Sequence, residues 1–239
     1  MQDVIKVVML TTVAGAAIPI GGLLARIERI QPAWLEREFR HAVIAFGGGT
    51  LLSAVALVLV PEGVKGLPLF AVVVSMCLGG LVFCLLDILI SRTKTSAAQL
   101  VAMLSDFLPE AMALGAVLAA GGSLGGLLAL LIGLQNLPEG FNAYRELSVG
   151  GRIRRRSILV AFVAMVPIGP LAGLIGLYWL ASYPMALHAI MLFAAGGILY
   201  LTFQDIAPQA KLERHWAPAI GAVVGFLLGL VGQLLLVAR

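Results

Sequence analysis

The stretch "LIGLQNLPEGFNAYREL", from Leu131 to Leu147, has the apolar flanks of a membrane helix but a polar middle. Gln135, Asn136 and Glu139 interrupt the apolar run, and Pro138 removes one backbone donor of the helical hydrogen-bond ladder. An ionisable side chain near the bilayer centre costs at least about 2.5 kcal/mol, and such residues commonly mark ion or proton paths. The stretch therefore bears on function as well as on fold.

The composition around it is that of an integral membrane protein. Of 239 residues, 61% are hydrophobic and 12% are charged, and the mean hydropathy is +1.04, whereas a soluble domain is about 25% charged. The net charge of +4 is no argument for a nucleic-acid partner, because basic loops are what membrane topology requires. Cys77 and Cys84 share one apolar segment and would lie about 10 Å apart on a helix, too far for a disulfide. No cleavable signal peptide is seen, so the first apolar stretch is interpreted as a span.

Eight apolar segments, each long enough to span a bilayer as a helix, predict an all-α membrane protein. The connections between them are short, which predicts a single transmembrane transporter domain over residues 1–239. The segments, numbered 1 to 8, lie near residues 4–26, 41–61, 67–90, 99–120, 124–145, 157–181, 185–206 and 216–238.

Basic residues alternate between the connections and predict the orientation. Thirteen of the sixteen lie in the connections that follow segments 1, 3, 5 and 7. The other side holds only Lys6, Lys65 and Arg239. Because basic loops stay in the cytoplasm, both termini are expected outside.

Segments 2 and 7 share a pattern that suggests an internal repeat. Segment 2 has "FGGGTLLSAVALVLVPEG" from Phe46, and segment 7 has "FAAGGILYLTFQDIAPQA" from Phe193. In both, glycines follow the phenylalanine closely and a proline, Pro61 or Pro208, comes 15 residues after it. The two segments cross in opposite directions, which predicts a 3+2+3 inverted-repeat arrangement of eight transmembrane helices, as in many transporters. Chance sharing of glycines between membrane helices is the alternative.

Acidic residues in segments 4 and 5 predict a cation site. Segment 4 contains "LSDFLPEAMALG", so both segments hold a polar residue, two others, a proline and a glutamate. Asp106 and Glu110 lie on one helix face, and Gln135 with Glu139 repeats that spacing. Three carboxylates alone would repel one another, and a divalent cation would relieve the repulsion. Protonated acids that hydrogen-bond between the helices are the structural alternative.

With these motifs the chain resembles the ZIP family of divalent metal transporters. "DFLPEA" (Asp106–Ala111) and "QNLPEG" (Gln135–Gly140) stand where that family has its metal-binding elements on spans 4 and 5. "VPIGPLAG" (Val166–Gly173) is similar to its span 6 element. The resemblance covers nearly the whole chain. It implies a metal transporter rather than an enzyme, with eight spans, outside termini, the 3+2+3 arrangement and a homodimer as one assembly.

By resemblance, the first metal position consists of four residues: Asp106, Glu110, Gln135 and Glu139. A histidine of the family is replaced by Asp106 there. The family's adjacent second position corresponds to Phe107, Asn136 and Gly169, of which only Asn136 keeps a polar ligand. One occupied metal site is therefore expected rather than two.

The expected cargo is a divalent metal cation carried as substrate, with no organic cofactor. The resemblance implies Zn²⁺, whereas an all-oxygen site suits Mn²⁺ or Fe²⁺ better, and Cd²⁺ is a further candidate. The resemblance also implies a multi-pass protein of the bacterial inner membrane, with the lipid bilayer and the metal ion as its partners. His188, at the outer start of segment 7, and Asp205, near its inner end, are candidate residues of the metal pathway.

Three other interpretations stay open at the level of sequence. The buried acids could relay protons for a carrier of another small solute. A member of the family with a degraded second position could sense or leak metal. "GGSLGG" places Ser123 in a Gly-x-Ser-x-Gly pattern, and an intramembrane serine protease could pair Ser123 with His188. A glycine-rich turn between segments 4 and 5 explains the same residues without catalysis.

Overall fold

The computed structural model is predominantly helical in the residues that it describes, which are 2–28, 33–93, 96–119, 121, 124–149, 153–210 and 216–237. No strand occurs within these ranges. The prediction of an all-α fold is confirmed.

The helices, named α1 to α8, follow the eight predicted segments in order within the described ranges. α2 begins at Ala33, well before the predicted residue 41, and α6 is interrupted at Val166 and Pro167. The bounds are Gln2–Ile27 for α1, Ala33–Ala54 for α2 with continuations Val55–Leu59 and Val60–Gly63, Leu69–Thr93 for α3, Ser96–Ala119 for α4, Gly125–Val149 for α5, Arg155–Met165 and Ile168–Tyr178 for α6, Pro184–Leu201 for α7 with continuations Thr202–Ile206 and Ala207–Ala210, and Ala217–Val237 for α8.

Six of these helices are long and apolar enough to cross a membrane, among the residues that the structure describes. They are α1, α2, α3, α6, α7 and α8, as expected of a multi-pass membrane protein. α4 and α5 are the helices with a proline and acidic residues in their middle. That all eight helices cross the membrane, with both termini outside, stays a prediction.

α2 and α7 contain the same irregularity at the same place in their shared sequence pattern. In each, a five-residue π-helical turn begins nine residues after the phenylalanine and ends two residues before the proline. The N–H of Val60 bonds to the carbonyl of Val55, and the N–H of Ala207 bonds to that of Thr202. Each turn comes just before a proline, whose ring clashes with the carbonyl four residues earlier and offers that carbonyl no donor. In α2 this carbonyl, of Leu57, accepts a 3.4 Å hydrogen bond from Gln233 Nε2 of α8.

The helices associate most closely in four pairs, α1 with α5, α2 with α8, α3 with α7 and α4 with α6. Exchanging α1 with α6, α2 with α7, α3 with α8 and α4 with α5 leaves this set of pairs unchanged. Small residues allow the close approach, as is usual between membrane helices. In the α1–α5 pair, a Cβ at Gly21 would overlap the carbonyl of Leu137, and one at Gly140 would overlap that of Ile18.

The pairs α2–α8 and α3–α7 repeat the same glycine contacts. In α2–α8, Gly49 faces the carbonyl of Ala222, and Gly225 faces that of Phe46. In α3–α7, Gly196 faces the carbonyl of Met76, and Gly79 faces that of Phe193. The correspondence holds residue by residue, since Phe193 and Gly196 occupy the positions of Phe46 and Gly49 in the shared sequence pattern.

The two ends of the bundle differ in their interior. The larger apolar core surrounds the π turn of α2, the second half of α4, the first half of α5 and the first half of α7. Toward the other ends of α5 and α7, a polar cavity separates the helices. This cavity contains most of the predicted site.

Candidate cation site

Glu110 of α4 and Gln135 of α5 join their two helices inside the protein. The Nε2 group of Gln135 donates to both carboxylate oxygens of Glu110, at 2.5 and 2.6 Å. Glu110 is 1% exposed and Gln135 is 4% exposed. A buried carboxylate requires such donors because a lost partner leaves its desolvation uncompensated. The predicted proximity of the two proline-containing helices is therefore observed at this pair.

An acidic cavity of about 260 Å³ lies next to this pair. Five carboxylates from four helices line it, together with three side-chain amides. The carboxylates are those of Asp87, Asp106, Glu139, Glu146 and Asp205, and the amides are those of Gln135, Asn142 and Gln209. Glu146 and Gln209 are exposed whereas Gln135 is buried, so the cavity leads from the helix pair toward the surface.

The α5 wall of this acidic cavity is a polar stripe with helical spacing. Gln135, Glu139, Asn142 and Glu146 follow one another at intervals of four, three and four residues, which places them on one face of a helix. All four line the acidic cavity. The stripe thus forms a continuous row of oxygen-bearing side chains from the buried pair to the exposed end.

Three oxygen atoms in this cavity have no hydrogen-bond donor among the described residues. They are Asp106 Oδ1, Gln135 Oε1 and Asn142 Oδ1, all three buried. Buried polar atoms are almost always paired, so unpaired acceptors indicate a place for water or for a cation. Carboxylate and amide oxygens are the donors that hard divalent cations prefer. The donor set therefore fits a divalent metal ion as substrate.

The structure brings the four residues of the predicted first position into one neighbourhood. Asp106, Gln135 and Glu139 line the acidic cavity, and Glu110 is joined to it through Gln135. No group of three or more Asp, Glu, His or Cys side chains is arranged to hold a metal ion among the described residues. The carboxylates would have to move together, or act with Gln135 and Asn142, to coordinate one.

The predicted remnant of a second position is filled by an aromatic ring. Phe107 is 1% exposed. A Cβ at Gly15 would come within 2.8 Å of its ring, and one at Gly169 would come within 2.5 Å. Asn136 does not line the cavity, and its Nδ2 donates to the carbonyl of Ala14 at 3.0 Å. The space between α1, α4 and α6 is therefore occupied by side chains rather than by oxygen donors.

The two candidate pathway residues lie apart. Asp205, in the π turn of α7, lines the acidic cavity. His188 is not among the lining residues and precedes Asp205 by 17 positions, about 25 Å along a helix. Its buried Nδ1 has no hydrogen-bond partner among the described residues. Ser123, the predicted nucleophile of the protease alternative, lies outside the described residues.

Four further polar residues of the cavity were not predicted as site residues. They are Asp87, Asn142, Glu146 and Gln209. The sequence contains a signal for two of them. Asn142 and Glu146 follow Glu139 at helical spacing and so extend the polar face of the α5 stripe. Asp87 looks like an ordinary helix-end acid in the sequence, but here it accepts a 3.0 Å hydrogen bond from Tyr200 of α7.

Comparison with known protein families finds no family model that matches the chain, and comparison with curated proteins finds no significant match. The resemblance described above therefore rests on the motifs of the sequence itself.

Proposed function

We propose that this protein is a divalent metal cation transporter that moves its cargo toward the cytoplasm through a single oxygen-rich site on α4 and α5. The observation that carries the proposal is the acidic cavity, which is lined by five carboxylates and three amides, has three unpaired oxygen atoms on these side chains, and has no basic lining residue. Carboxylates that share one cavity repel one another, and a bound dication would relieve this repulsion. Asp106, Glu110, Gln135 and Glu139 are the proposed metal-binding residues.

The proposed cargo follows from the chemistry of these donors. Resemblance to the ZIP family favours Zn²⁺, whereas oxygen donors without imidazole or thiolate favour Mn²⁺ or Fe²⁺, and Cd²⁺ is a further test ion. The aromatic filling by Phe107 supports one bound ion rather than two. From the site the ion would pass Asn142, Glu146 and Asp205 along the acidic cavity to the cytoplasm.

The proposed architecture is eight membrane-spanning helices in an inverted 3+2+3 arrangement, with both termini outside, in a bacterial inner membrane. Two observations support it. The π turns of α2 and α7 coincide in the shared pattern, and the glycine contacts of α2–α8 recur in α3–α7. In repeat transporters the substrate site lies between the repeats near the midplane, which suits the central position of α4 and α5.

A proton-coupled carrier of another small solute is the second candidate. It is favoured by the Glu110–Gln135 pair, which satisfies one acid without a metal. The two candidates differ in dication binding. A metal carrier binds a dication in the absence of any other solute, whereas a carrier that only relays protons does not.

Uptake into proteoliposomes tests the proposal. Native protein and the Glu139→Ala variant would be compared with Zn²⁺, Mn²⁺, Fe²⁺, Cd²⁺ and Mg²⁺. We expect metal-dependent uptake by the native protein and a loss of at least tenfold in the variant, because the altered residue removes one carboxylate from the proposed metal-binding set. Glu62, which pairs with Lys65 and does not line the acidic cavity, offers the control Glu62→Ala, which should keep its transport. Equal uptake by native protein and Glu139→Ala would reject the assigned site.

A further inference from the structure

Arg40 lies one helical turn beyond the α2 wall of the acidic cavity. Ile44, Gly47 and Leu51 of α2 line the cavity, and Arg40 precedes Ile44 by four residues on the same helix face. A Cβ at Gly47 would lie 2.9 Å from Pro138 Cγ of α5. Arg40 precedes Gly47 on α2, and Glu146 follows Pro138 on α5 by a similar length of helix. Arg40 and Glu146 therefore lie toward the same end of the cavity.

The charge of Arg40 acts on the exposed end of the cavity. Arg40 interacts electrostatically with Glu146, although the short ion pairs among the described residues are Lys65–Glu62 and Arg145–Glu28. Arg40 Nε is buried and lacks a hydrogen-bond partner within the described part of the chain. The guanidinium is thus held near the carboxylate without closing a bonded pair with it.

Among the described residues, the other basic side chain next to Glu146 binds a different helix. Arg145, next to Glu146 in sequence, donates to Glu28 of α1 at 2.7 Å. None of the residues that line the cavity is Lys, Arg or His. Arg40 therefore acts on a lining carboxylate, that of Glu146, from just outside the cavity.

We propose that Arg40 is a tethered counter-cation at the mouth of the acidic cavity, which competes with the transported dication for Glu146 and hastens its release. The inference rests on the proposed function. A fixed positive charge repels a dication that reaches the mouth, and apolar helix walls keep this repulsion from being fully screened. The charge also offsets part of the repulsion among the five carboxylates.

Calorimetric titration of the purified full chain with Mn²⁺ tests the role of Arg40. Removing the charge in Arg40→Gln should tighten Mn²⁺ binding by about tenfold and slow its release to an added chelator by a similar factor. Arg40→Lys keeps the charge and should behave like the native protein. Arg156→Gln removes an exposed charge from the start of α6 and should change neither quantity.

Native affinity and release rate in folded Arg40→Gln would overturn the inference while leaving the transporter proposal standing. Absence of dication binding by the native protein would instead reject the proposed function, and this inference with it. If Arg40→Gln fails to fold, Arg40→Cys in a Cys77→Ser, Cys84→Ser background gives a second route. A cationic thiol reagent should then weaken Mn²⁺ binding about tenfold relative to a neutral reagent, and equal affinity after both reagents would overturn the inference.

Discussion

At the scale of single residues, Gln135 connects the two halves of the candidate site. Its Nε2 satisfies both oxygens of Glu110, whereas its Oε1 lies buried without a donor and the side chain lines the acidic cavity. An amide can serve both roles because it has separate donor and acceptor ends. A leucine of similar size would leave Glu110 buried without this donor. The hydrogen bonds to Glu110 in segment 4 thus explain why segment 5 has the polar residue Gln135.

Asp106 should set the preference of the site among metals. In Asp106→His an imidazole replaces a carboxylate, and imidazole suits Zn²⁺ better than Mn²⁺. We expect the ratio of Zn²⁺ to Mn²⁺ affinity to rise by about tenfold, measured by competition titration. Asp106→Asn is the matched control and should weaken both metals without favouring Zn²⁺. An unchanged ratio in Asp106→His would show that residue 106 does not touch the ion.

At the scale of helices, close pairing through glycine organises the bundle. Gly79 and Gly80 are neighbours on α3 but differ in surroundings. A Cβ at Gly79 would overlap the carbonyl of Phe193, whereas one at Gly80 would make an ordinary 3.6 Å contact with the carbonyl of Gly196. The same residue type therefore has a packing role at one position and little at the next.

The substitutions Gly79→Ala and Gly80→Ala should separate these roles. Gly79→Ala forces α3 and α7 apart and should destabilise the protein by about 1–3 kcal/mol, as overpacking does. Gly80→Ala should be neutral or slightly stabilising, because alanine favours the helix by up to about 1 kcal/mol over glycine. Thermal unfolding of the purified variants in one detergent gives the comparison. Equal midpoints for both variants would contradict the close α3–α7 contact.

The helices were more predictable than their irregularities. Apolar length is sufficient to predict where α1 to α8 occur, and the proline pattern relates α2 to α7. The π turns before Pro61 and Pro208 could not be predicted, because a proline can also kink a helix or end it. The choice depends on neighbours such as Gln233, which lies 176 residues from Leu57 in the chain yet bonds to its carbonyl.

At the scale of the whole molecule, the sequence predicts which polar residues of α4 and α5 lie together but not where the protein is open. Asp106, Gln135 and Glu139 were expected together and share a cavity. Val58 occupies in the pattern of α2 the position of Asp205 in α7, and Leu114 occupies in α4 the position of Ala143 in α5. At the other end of the bundle, both are packed into the apolar core. Which end is open depends on how helices from distant parts of the chain pack against one another, and the pattern within one helix does not encode this.

Chemical labelling tests the predicted orientation of the bundle. In a Cys77→Ser, Cys84→Ser background, Lys65→Cys lies in the connection after α2, and Arg156→Cys lies at the start of α6. Lys65 has 60% of its side chain exposed, and Arg156 is exposed as well. We expect an impermeant maleimide to label Lys65→Cys on intact cells and Arg156→Cys only after the membrane is opened. The reverse result would invert the orientation and the direction proposed for transport.

The four helix pairs have a mechanical consequence for the ion. Gln135 and Glu139 belong to the α1–α5 pair, which glycine contacts and the Asn136–Ala14 bond fasten together. Asp106 and Glu110 belong to the α4–α6 pair, where a Cβ at Gly176 would overlap the carbonyl of Met112. If these residues bind a metal ion as proposed, its ligands are divided between two helix pairs, and any sliding of one pair along the other would change the metal–oxygen distances. Metal affinity and the relative position of the two helix pairs would then change together. The displacement that exposes the ion would also release it.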